Sequence, residues 1–255
     1  MKNIWLIYCK ELKSYFSSPI AYVVMFLYAF IFGYFFYNAV DYFQRLAMRA
    51  QAMGQAFPMN INEIIMRPLL MNASVVGLFL IPMICMRLFA EEKRSGTIEL
   101  LMTSPVRDIE VILGKWLAAL ALYAVILVIS AVNFTFLFVY GKPDWKPLLV
   151  GFLGLLLQGG ALLAIGTFLS TLTRNQIIAG AASFCLFLLL WVLSWGSDYD
   201  SSTISKVRGY ISVVTHLEPF AKGVIDLKDV VYFLSAIFLG LFLTARSAES
   251  LRWRA

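Results

Sequence analysis

Charge is scarce in this sequence: 14% of its 255 residues are Asp, Glu, Lys or Arg, against 61% hydrophobic. A soluble domain carries about a quarter charged residues, so the composition excludes one and points to a membrane protein. Histidine is limited to His216, and one imidazole without companion ligands excludes a histidine-built metal centre; it is read as an interfacial residue. The three cysteines, Cys9, Cys85 and Cys185, lie far apart and form no disulfide framework, so they are read as small packing residues. No G-x-x-x-x-G-K-[ST] loop is present, because Gly114-Lys115 and Gly141-Lys142 lack the upstream glycine. HExxH, CxxC and GxSxG are missing as well, and no apolar run carries a carboxylate of the kind proton-coupled carriers use. The chain is therefore expected not to be an enzyme and to hold no cofactor or metal, and active transport would draw its energy from another subunit.

Apolar runs are what the sequence has in quantity. A hydrocarbon core about 30 Å thick takes about 20 helical residues to cross. Uncharged runs occur at Ile20–Val40, Leu69–Met86, Trp116–Tyr140, Pro147–Thr173, Asn175–Ser197 and Val230–Ala245. They predict six spans, at 20–40, 69–89, 112–140, 148–170, 176–196 and 229–245, within a single domain over 1–255. Lys2, Lys10 and Lys13 precede a first run that has no small-residue cleavage site, so it is read as a retained span with a cytoplasmic N-terminus. Of the 21 Lys and Arg residues, 12 fall in the segments this places inside, which are the shorter ones. The net charge of +6 then lies at membrane borders, facing anionic lipid and needing no nucleic acid.

Residues 1–18 set Ile4, Trp5, Tyr8, Leu12, Tyr15 and Phe16 on one helical face, as in a helix lying on the membrane surface. Pro82 lies within the second span and predicts a bend. The fourth is rich in glycine, which lets helices approach closely in lipid and predicts a central position. Asn133 and Gln158 are uncharged polar residues at membrane depth, open to interhelical hydrogen bonding or to a place on a translocation path. Residues 197–228 form the longest outside segment, with Tyr210, Val213, Val214 and Leu217 on one face before Glu218-Pro219.

One stretch, Glu91–Pro105 (EEKRSGTIELLMTSP), is a charged island between two spans. Ser95 or Thr97 can cap a helix start, and Ile98, Leu101 and Met102 share a face. Ser104-Pro105 then predicts the start of the next helix. A solvated connector and an exposed docking helix both fit that pattern.

The segments KELKSYFSSPIAYV, FAEEKRSGTIELLMTSPVRDIEVILGKW, TRNQIIAG and THLEPFAKGVIDLKDVVYFLS, in this order, resemble the ABC-2 type permeases of the gliding-motility GldF kind. The resemblance implies an all-α membrane fold of the ABC-2 or type V exporter kind: six spans, an N-terminal amphipathic helix, a coupling helix at 91–105 and an outer helical hairpin at 197–228. It implies an ATP-binding subunit, two copies with two permease chains (a second copy of this one or a related subunit), holding ATP and magnesium and docking on the coupling helix. The interface residues it implies are Glu91, Glu92, Arg94, Gly96, Thr97, Glu99 and Leu101. The implied function is export or outer-leaflet delivery across a bacterial inner membrane, with both termini cytoplasmic. An ATP-powered mechanical device beside a membrane-anchored accessory protein with an external domain is the alternative.

Overall fold

In the computed structural model the described residues are 2–54, 60–97, 106–141, 143–195 and 203–252, and their regular structure is helical throughout. The helices are α1 (Lys2–Ser17), α2 (Pro19–Ala52), α3 (Arg67–Cys85, after a π-helical turn at Asn62–Met66), α4 (Ala90–Ser95) and α5 (Asp108–Tyr140). They continue with α6 (Trp145–Leu172), α7 (Gln176–Val192), α8 (Thr203–Ile211), α9 (Val213–Ala221) and α10 (Leu227–Arg252).

Among the described residues, five stretches are long and apolar enough to cross a membrane: Ala21–Ala52, Asn62–Ser95, Asp108–Tyr140, Trp145–Leu172 and Leu227–Ser250. Gln176–Val192 is apolar but has 17 residues, roughly 25 Å of helix, slightly less than the hydrocarbon core. The shortest uncharged run, Val230–Ala245, lies in a helix of 26 residues, because Asp229, Arg246 and Glu249 continue it at both ends. Helix α2 likewise runs on to Ala52, since YFQRLAMRAQA holds good helix formers and no breaker.

Helix α6 is the hub, packing against α3, α5, α7, α9 and α10. Its glycines explain why. A Cβ at Gly159 would stand 2.1 Å from the Tyr123 ring of α5, and one at Gly154 would stand 2.5 Å from Phe220 of α9. Only hydrogen leaves room for both neighbours. An aromatic row, Phe32 to Phe134 at 5.9 Å and Phe134 to Phe152 at 5.8 Å, fills the space among α2, α5 and α6.

At one end of the bundle α8 and α9 form the described part of the expected outside segment, and residues 197–202 lie outside the described residues. Arg67 at the start of α3 pairs with Glu218, which also pairs with Lys222 at 2.9 Å. His216 is here buried (4% exposed), contrary to the interfacial expectation. Its Nδ1 lies 2.6 Å from Asp229 Oδ1 on α10, its Nε2 2.9 Å from the Tyr210 carbonyl, and its ring stacks on Tyr232 at 3.9 Å.

Candidate functional site

The charged island lies at the opposite end of the bundle, with its first half folded onto its neighbours. Pro82 falls in the last turn of α3, where it has no N–H to donate back to the Leu78 carbonyl, while its own carbonyl still accepts from Met86 N at 2.9 Å. The chain turns through 86–89 and re-enters a helix as α4. The first amides of α4 have no carbonyls behind them. Phe89 N and Ala90 N instead donate to Ser170 Oγ on α6, each at 3.1 Å. Gly96 then ends α4 in the left-handed region (φ 73°), which glycine enters without steric cost. Helix formation thus begins before Ser95, whose hydroxyl lies 2.8 Å from that of Thr97 and bonds back to the Glu92 carbonyl. The expected amphipathic turns through Ile98, Leu101 and Met102, and the Ser104-Pro105 start, lie outside the described residues. Helix α5 starts at Asp108 after an extended Arg107, whose N–H is taken by Glu110 at 3.3 Å.

Three side chains anchor α4. Arg87 Nε donates to Glu91 at 2.9 Å and its Nη1 to Ser18 Oγ at 3.3 Å, tying the turn to the α1–α2 junction. Lys93 Nζ donates to the Thr171 carbonyl at the end of α6. Glu92 is turned inward, in contrast to the solvated position its charge predicts. Its Oε1 lies 2.8 Å from Lys115 Nζ on α5, and that nitrogen also lies 3.0 Å from Glu11 Oε1 on α1. Lys115 is 2% exposed and both carboxylates are 16% exposed. The Phe89 ring lies 5.4 Å from the ammonium, completing its enclosure.

Helix α1 reaches this triad because Gly114 admits Ile7 against the α5 backbone, where a Cβ would meet it at 2.8 Å. Asn3 donates to Glu110 at 3.0 Å, so Asn3, Ile7 and Glu11, at spacings of four, form the stripe of α1 that faces α5. Trp5, by contrast, is exposed and stacks on Tyr8.

The residues singled out from the sequence thus separate. Arg94, Gly96 and Thr97 are exposed, Glu91 is half-buried in its ion pair, and Glu92 is enclosed. Glu99 and Leu101 lie outside the described residues. Gln158 is buried on α6 and donates to Ser74 Oγ of α3 at 2.6 Å, while Asn133 is half-buried on α5 with no hydrogen bond joining the two. Sequence reasoning missed Lys115, Glu11 and Ser170 as members of the island's setting. The one available signal was a lysine eight residues into an apolar helix, with nothing in its spacing to name Glu11 or Glu92 as partners. Among the described residues, no group of three or more His, Cys, Asp or Glu is placed to hold a metal ion.

The family model described as "ABC-2 family transporter protein" matches residues 5–199, from α1 through the whole island and on past α7. No curated protein matches the chain.

Proposed function

The chain belongs to the ABC-2 transporter family, and from that premise we propose that it is the permease subunit of a GldF-like exporter in a bacterial inner membrane. ATP is hydrolysed by a separate subunit that carries the nucleotide and magnesium, two copies working with two permease chains. The end of the bundle that bears α4 faces the cytoplasm together with both termini, and α4 with the residues following it is the docking element. The cargo is delivered outward or to the outer leaflet.

The observation that carries this reading is the construction of α4. It is tied to the α1–α2 junction, α5 and α6 by ion pairs and hydrogen bonds, yet it presents Arg94, Gly96 and Thr97 to solvent. A knob anchored in this way transmits a push to the helices behind it, whereas a loose connector would absorb it. An exposed charge at a docking rim chiefly steers association, so Arg94→Glu is the variant to make. In nanodiscs, with a candidate ATP-binding subunit co-expressed with the chain, Arg94→Glu is expected to weaken assembly roughly tenfold, steeply dependent on salt. A wild-type chain that neither binds that subunit nor changes its ATP turnover would sink the permease reading.

A further inference from the structure

Resting on the permease reading above, we propose that Lys115 is a positioning residue that passes displacement of α4 on to α1 and α5, with Glu92 as the member of the triad that leaves. The triad is unbalanced in charge, since two carboxylates share one ammonium in a nearly closed space. It is also unbalanced in hydrogen bonding. Glu92 Oε2 is buried and has no hydrogen-bond partner among the described residues.

Those two facts set which bond can break. A buried lysine stripped of every counter-charge is strongly destabilising. Lys115 escapes that penalty when Glu92 swings out, because Glu11 remains at 3.0 Å and the pair left behind is neutral. Glu92 gains in the same step: its unpaired oxygen acquires a donor from water or from a cationic side chain of the docked subunit. The joint therefore has two positions, each with Lys115 neutralised, which is what a discrete rather than elastic movement requires. The other anchors of α4, Arg87 to Glu91 and Lys93 to the Thr171 carbonyl, flank Glu92 on either side. They let α4 pivot without detaching. Until Glu92 leaves, displacement of α4 reaches α5 through Lys115 and α1 through Glu11; once it has left, α1 and α5 stay joined to each other and are released from α4.

The test uses the complex of this chain with its ATP-binding subunit in nanodiscs and reads assembly affinity and saturated ATP turnover separately. Lys115→Met is expected to leave affinity within about twofold while stimulation of turnover falls about tenfold. Lys115→Arg, which keeps a fixed cation, is expected to hold both within about twofold. Glu92→Lys combined with Lys115→Glu keeps two carboxylates around one cation at rest but leaves Glu11 and the carboxylate introduced at 115 without a cation once residue 92 swings out. The pair is therefore expected to restore the thermal midpoint lost in either single change without restoring stimulation.

Two further variants carry the test if Lys115→Met does not fold. Glu11→Gln leaves Lys115 dependent on Glu92, so α4 is held back and affinity is expected to fall about tenfold with the thermal midpoint retained. Glu92→Gln relieves the excess charge and is expected to keep affinity but lose stimulation. Equal effects from these two, or a Lys115 series in which affinity, midpoint and turnover fall together without rescue, would show a tie that only stabilises the fold and would overturn the proposal. A wild-type complex that does not form at all overturns the permease reading instead.

Discussion

Gly159 shows how much a single hydrogen atom can decide. The Tyr123 ring occupies the volume its side chain would fill, at 2.1 Å from an added Cβ. Overpacking a filled interior costs about 1–3 kcal/mol. Gly159→Ala is therefore expected to lower the thermal midpoint in detergent, and Tyr123→Leu in the same chain to recover part of the loss. If the two changes prove additive, the close approach of α5 and α6 at this point is not what glycine provides. Lys115 belongs to the same scale for a different reason. A lysine near the start of an apolar helix looks like an interfacial residue that reaches for water. The structure instead closes it in with Glu11, Glu92 and Phe89, and that enclosure depends on residues 104, 23 and 26 positions away in the chain.

At the scale of elements, α9 is fastened by charge to α3 and by its apolar face to α6. Glu218 has its carboxyl held below the usual carboxylate range, first by the hydrogen bond from Lys222, with burial opposing and Arg67 adding to the downward shift. A depressed folded-state value means that the ionised form is favoured by folding. Its contribution is present above the ordinary value of about 4.5 and is lost as pH falls through the lower folded value. Protonation then loosens α9 from Arg67. The wild-type chain is expected to lose more thermal stability than Glu218→Gln on going from neutral pH to about pH 4. Parallel loss in the two would show that the Arg67–Glu218–Lys222 cluster contributes nothing to that acid sensitivity. Helix α4 was only half legible in the sequence. Ser95 and Thr97 were visible as capping residues, but a helix before them was not, because its first amides are satisfied by Ser170, about 80 residues downstream.

For the whole molecule, the placement of α4 and of α8 at opposite ends of the bundle makes the orientation testable. In a cysteine-free background, Arg94→Cys is expected to label from the cytoplasmic side and Lys206→Cys from the other, both positions being exposed. Reversed labelling would overturn the orientation drawn from the lysine and arginine distribution, and labelling of both from one side would overturn the crossing pattern itself.

Composition and run length alone determined that this chain is a helical membrane protein with a charged island between two apolar stretches. These are averages over twenty or so residues, and the bilayer reads them as averages. Motif order carried the family for the same reason: it is a linear property. Helix ends were less legible, since Ala52 and Asp108 mark boundaries set by the left-handed Gly54 and by the Glu110 side chain capping Arg107 N rather than by loss of hydropathy. Only the tertiary structure decided that Glu92 faces inward, that His216 is enclosed by Asp229 and Tyr232, and that Gln158 is bonded to Ser74. A charged or polar side chain can be solvated or paired with equal chemical sense, and which of the two occurs depends on what distant segments bring within 3 Å of it.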